Sequence, residues 1–136
     1  MNNTKQILLY PPTEPGECFD RYAILESKWK SKQSKFGDPQ DQDYKNFSNY
    51  FDFLYESIDP ELLGAILGSE EYKNLFEANK EIFEAIDRGE AGDDNGFKAA
   101  NLANRKRFEA KRAIQRKYFN TYLSETKTYL IENDKL

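Results

Sequence analysis

Three stretches of this chain set charged and amide side chains into the stripe that a helix turns towards its neighbours: GECFDRYAILESK at 16–28, NKEIFEAID at 79–87 and NRKRFEAKRAIQ at 104–115. A surface helix keeps Asn, Arg and Glu on its wet face. Polar residues inside the apolar stripe must therefore satisfy one another or serve a site. The three stretches locate a candidate site before its chemistry is known.

The rest of the chain reads as helices joined by short connections. Cys18, Tyr22, Leu25 and Trp29 recur at steps of four, three and four, which predicts a helix from Glu17 to about residue 32. Glu17, Arg21 and Lys28 lie on an arc bracketed by apolar side chains. GDPQDQD at 37–43 has the Gly, Pro and acid content of a loop leading into a second helix. Tyr44, Phe47, Phe51, Leu54 and Ile58, widened by Tyr50 and Phe53, make that helix the expected main contributor to the core. Asp59-Pro60 reads as an N-cap with proline in the first turn of a short third helix through Leu67, ended by Gly68. Ser69 caps a fourth helix over about 70–88, whose stripe is Tyr72, Leu75, Asn79, Ile82 and Ile86. After GEAGDDNG at 89–96 no proline follows, so a long fifth helix is expected from Phe97 to about Ile131. Its expected face is Phe97, Asn101, Asn104, Phe108, Lys111, Gln115 and Tyr118. The sum is an all-α, single-domain bundle of about four or five helices over 16–131. It carries an extended, Pro-rich segment at 1–15, with a short strand-like run at 6–10, and a frayed tail at 132–136.

Composition narrows the classes of activity. At 136 residues the chain suits one domain with one core, and 10 Phe, 9 Tyr and 1 Trp supply large buried areas. A net charge of −4 disfavours general binding to nucleic acid or to anionic membranes. Absence of His removes the usual zinc ligand set and most nucleophilic triads. Cys18, the one cysteine, cannot form an intramolecular disulfide and sits on an apolar stripe, as a small core residue does. The run Ile7-Leu8-Leu9-Tyr10 is too short for a signal-peptide core or a membrane span. These features together predict a soluble cytoplasmic protein.

The three stretches resemble a bacterial and viral family of unknown function whose motifs read roughly GELLDKxxILExK, NxxLWxxED and NDxRAxIKRxIN. Gly16, Glu17, Asp20, Ile24, Leu25, Glu26 and Lys28 match the first. Asn79, Ile82, Phe83 and Asp87 match the second, and Asn104, Arg107, Lys111, Arg112 and Ile114 the third. The likeness covers about 14–116. The chain departs from the family at Ile86, where the family carries Glu, at Arg105, where it carries Asp, and at Phe83, which replaces Trp. The resemblance implies a helical fold and a polar cluster. In bacteria it associates the family with surface-polysaccharide gene neighbourhoods, and it implies no established reaction.

The first functional expectation is a small-molecule site lined by Glu17, Asp20, Asn79, Asp87, Asn104, Arg107, Lys111 and Arg112. Arg107 and Arg112 suit a phosphate or carboxylate gripped bidentately, the two Asn residues suit polar groups, and the acids suit Mg²⁺ through oxygen ligands. Phosphorylated ligands such as nucleotides and sugar nucleotides fit this set. Paired with one another across helices, the same charges would fix register and bind nothing. A catalytic version is metal-assisted hydrolysis. The Glu-x-x-Asp pairs at Glu17/Asp20 and Glu84/Asp87 are similar to those of all-α nucleotide pyrophosphatases, though set further apart. The second expectation is a non-enzymatic protein-protein interaction or assembly protein, whose aromatic surplus docks a partner or a second copy. A third, nucleic-acid binding through Arg105, Lys106, Arg107, Lys111, Arg112, Arg116 and Lys117, is disfavoured. Successive residues of a helix diverge by about 100°, so these charges do not form one stripe.

Overall fold

The computed structural model describes residues 13–31 and 41–120. Five helices make up an all-α bundle: α1 Pro15–Lys30, α2 Gln42–Ser57, α3 Pro60–Leu67, α4 Glu70–Glu90 and α5 Asp94–Phe119. The segments expected at 1–12, at 32–40 and beyond 120 lie outside the described residues, and with them the strand-like run and the tail.

Local chemistry sets the helix starts. The Asp59 carboxylate accepts from the backbone N–H groups of Glu61 and Leu62 at 3.1 and 3.2 Å, with Pro60 in the first turn. Ser69 Oγ accepts from Tyr72 N at 3.1 Å, while Asp41 and Asp93 accept from Asp43 N and Asn95 N. Each satisfies amide donors that the first turn of a helix leaves open. Helix α1 differs, because Glu14 offers no side-chain cap. Gln115 of α5 supplies it instead, its Oε1 accepting from Gly16 N at 2.6 Å.

Phe19, Tyr22 and Ala23 of α1 sit at the centre of the core. They are joined by Tyr50 and Leu54 of α2, Leu63 and Ile66 of α3, Tyr72 and Leu75 of α4, and Ala110 and Ile114 of α5. Cys18 is buried among them, as expected. Of the α2 stripe only Tyr50 and Leu54 are buried; Phe47, Phe51, Phe53 and Ile58 are half-buried and pack against the cluster from outside. The Tyr22 and Trp29 rings stack on Phe47 with centroids 5.0 and 4.9 Å away, so α1 and α2 join through a layer of rings.

Helices α4 and α5 form an antiparallel hairpin around Ala91–Asp93, where Gly92 takes a left-handed φ of 102°. Their seam is made of small residues: Ala78, Ala85 and Gly89 face Gly96, Ala100 and Ala103. This corrects the first half of the expected α5 face, whereas Lys111 and Gln115 in its second half are buried as expected. Asn101 and Asn104 point outward, Phe97 lies half-exposed over Gly89, and the buried positions are Gly96, Ala100, Ala103, Ala110, Lys111, Ile114 and Gln115. A shift of one position turns a helix by about 100°. The close approach of the two backbones, which only Gly and Ala permit, selected the neighbouring phase. Helix α5 also ends at Phe119, short of residue 131, because Asn120 adopts φ 55°, ψ 37° and donates its N–H back to Arg116 O at 3.1 Å. Asn tolerates that left-handed stop, and no proline is needed.

Candidate functional site

Helix α1 crosses the α4–α5 hairpin so that the carboxylates of Glu17 and Asp20, one turn apart, meet Arg107 and Lys111, one turn apart on α5. Asp20 is only 3% exposed and lies where its neighbours Phe19 and Tyr22 enter the core. Its two oxygens take a fork from Arg107: Nε donates to Oδ1 at 2.9 Å and to Oδ2 at 3.1 Å, and Nη2 donates to Oδ2. Asn79 Nδ2 donates to Oδ1 at 3.1 Å and to Leu75 O at the same distance, which holds the amide in place on α4. Lys111 Nζ lies 2.8 Å from Glu17 Oε1 and 3.8 Å from Asp20 Oδ2. At the outer edge Arg107 Nη1 donates to Asn104 Oδ1 at 3.0 Å.

Six of the eight expected residues are thus assembled: Glu17, Asp20, Asn79, Asn104, Arg107 and Lys111. Two carboxylates meet two cations, and each donor named above points at a protein acceptor. Such an array holds α1 in register on the hairpin. Desolvation offsets most of the Coulombic gain of a buried pair, so its contribution is chiefly to uniqueness of packing.

The other two residues lie elsewhere. Arg112, one residue past Lys111, is rotated out of the cluster; it is half-buried and has no ionic partner among the described residues. Asp87 stands two turns beyond Asn79 on α4, at a separate cleft of about 610 Å³ between the end of α1 and the middle of α4. Ser27, Lys28, Lys30 and Ser31 form one wall of it, and Phe76, Lys80, Phe83, Glu84 and Asp87 the other. The α4 residues recur at four, seven, eight and eleven positions from Phe76, the spacing of one helical face. Lys28 and Lys30 occupy the last turn of α1, where its carbonyl end favours positive charge. Lys30 is anchored there, 2.8 Å from Glu26 Oε2 and with Nζ 5.4 Å from the centre of the Phe76 ring.

Glu26 also accepts from the Tyr72 hydroxyl at 2.7 Å, tying this wall to the core. Burial, reinforced by the Glu26 charge, pushes the Tyr72 phenol far above its ordinary pKa; burial and Glu26 do the same at Tyr22. Burial also raises the Cys18 thiol, against a hydrogen bond with Tyr50. The cleft was not foreseen as a site, although Lys28, Phe83 and Asp87 all belong to the three polar stretches. Gln115 was placed on the α5 stripe without its capping role, which depends on how α1 crosses.

Among the described residues no group of three or more acids or cysteines converges to hold a metal ion. Glu17 and Asp20 face cations, while Glu84 and Asp87 line the cleft, so the two Glu-x-x-Asp pairs do not share a site. No helix among the described residues is long and apolar enough to cross a membrane. Compared with protein-family models, curated proteins and solved structures, the chain matches none of them.

Proposed function

We propose that this protein binds a phosphorylated or otherwise anionic small molecule, and that the site is the α1–α4 cleft rather than the Asp20 cluster. The observation that carries this reading is a pocket of about 610 Å³ that joins lysine side chains to aromatic ones. That volume lies within the range of small-molecule sites, roughly 300–1,000 Å³. Lys28 and Lys80 are exposed at its walls and take part in no ion pair among the described residues, whereas the cations of the cluster are already matched. An ammonium facing an open cleft remains available to a ligand anion; one held by a buried carboxylate does not.

A thermal-shift screen of phosphorylated metabolites, with sizing chromatography on the same sample, tests the reading. Stabilisation by one class is the expected result, with affinity falling about tenfold in Lys80→Gln, the loss of one charge-assisted contact. Stabilisation that survives Lys80→Gln unchanged and disappears in Arg112→Ala would put the ligand elsewhere on the molecule.

The second reading is an assembly or interaction protein whose polar cluster is structural. Tyr55, Phe97 and Leu102, the large apolar side chains more than half exposed among the described residues, are what such a partner would cover. On that reading the chain elutes as an oligomer or with a partner, and Leu102→Asp disperses it while leaving ligand response untouched.

A further inference from the structure

We infer that the ligand of the α1–α4 cleft is a nucleoside monophosphate, its base stacked on Phe83 and its single phosphate held by Lys28 and Lys80. This inference rests on the reading of the cleft as an anion site and narrows it to one chemical class.

The order of groups along the cleft carries the argument. Phe76 is already covered, because the Lys30 ammonium lies over its ring, and Lys30 itself is engaged by Glu26. The aromatic surface left for a ligand is Phe83, and the cations left are Lys28 and Lys80. Lys80 stands three residues before Phe83 on the same face of α4, about 5 Å along the axis. A phosphate at Lys80 and a planar ring on Phe83 are therefore within the span of one nucleoside phosphate. Base–aromatic stacking tolerates any base, so the geometry specifies the class and leaves the base open.

Two carboxylates limit the charge. Glu84 and Asp87 line the same wall beside Phe83 and beyond it. They accept hydrogen bonds from ribose hydroxyls or from exocyclic amino groups, and they repel further phosphates. Lys28 and Lys80 match the double charge of one phosphate, whereas a triphosphate carries about four charges and its excess falls against Glu84 and Asp87. A sugar phosphate lacks the planar ring that Phe83 would stack.

Isothermal titration calorimetry on the full chain separates these alternatives, using AMP, UMP, ribose 5-phosphate and ATP, all without metal. Both monophosphates should bind at least tenfold more tightly than ribose 5-phosphate and than ATP. Phe83→Leu, which keeps an apolar side chain at this half-buried position, should lower AMP affinity about tenfold, to near that of ribose 5-phosphate. Asp87→Asn should narrow the preference for AMP over ATP. Equal affinity for AMP and ribose 5-phosphate in the unmodified chain would overturn the nucleotide inference and leave the anion site standing. Tighter binding of ATP than AMP would overturn the limit set by Glu84 and Asp87. Absence of heat or competition with all four ligands would sink both the inference and the reading on which it rests.

Discussion

Asp20 shows how much depends on a single carboxylate. It is almost fully buried, so removing its fork partner leaves the carboxylate with only the Asn79 amide and the Lys111 ammonium 3.8 Å away. Arg107→Ala should therefore lower stability by about 1–3 kcal/mol, measured by urea denaturation. Pairing that change with Asp20→Asn should recover a large part of the loss, because an amide tolerates burial far better than a bare carboxylate. A double change no more stable than Arg107→Ala alone would show that Asp20 is not the source of the cost. At this scale the sequence was partly legible. An amide in the α4 stripe marked Asn79 and a lysine on the expected α5 face marked Lys111, while Asp20 and Arg107 stood out only through the motifs. Asp87 and Arg112 join that expected set only through the motifs they share with Asn79 and Lys111, and a motif reports nearness in sequence rather than the side of a helix. On α4, Asp87 lies two turns along from Asn79 and about 80° around the helix, on the face that lines the cleft.

The helices divide between those whose ends are fixed locally and those whose faces are fixed by neighbours. Caps at Asp59 and Ser69 were readable because a carboxylate or hydroxyl three residues before a free amide acts within one turn. The phase of the first half of α5 was not, because aromatic and amide residues drew the expected stripe there while the actual contact runs through Gly and Ala. Two glycines test this distinction. A Cβ at Gly96 would stand 2.4 Å from Gly89 N and 2.6 Å from Ala85 O, both backbone atoms that cannot give way cheaply. Gly96→Ala should prise the hairpin apart and cost about 1–3 kcal/mol or more. A Cβ at Gly64, on the exposed side of α3, meets nothing within 4 Å. Gly64→Ala should raise stability by about 0.5–1 kcal/mol through the unfolded chain. Thermal unfolding of the two variants should move in opposite directions; the same direction for both would deny the hairpin its small-residue seam.

For the molecule as a whole, the aromatic core sets the response to alkali. Tyr22 and Tyr72 have their phenols pushed well above the ordinary value of 10.0, by burial first and by Glu26 second. In the unfolded chain both ionise near pH 10, while the folded protein keeps their protons. Their contribution is complete below pH 10 and is lost as pH rises towards the folded values, at up to about 1.4 kcal/mol per pH unit for each. The raised thiol of Cys18 acts in the same direction from its ordinary value of 9.0 upward. Denaturation midpoints measured from pH 8 to 11 should fall beyond about pH 10, and Tyr72→Phe should flatten that fall; an unchanged slope would mean that Tyr72 is not protected in the folded state. The sequence by itself determined that this chain is helical, where α2, α3 and α4 begin, and which polar residues had to be compensated. Those properties follow from spacing and capping within a few residues. Tertiary structure decided which face of α5 turns inward, that Gln115 caps α1 from 99 residues away, and that the acids and lysines divide between a closed cluster and an open cleft. Each of these depends on the angle at which α1 crosses the hairpin, and that angle is set by side-chain volumes on both helices at once.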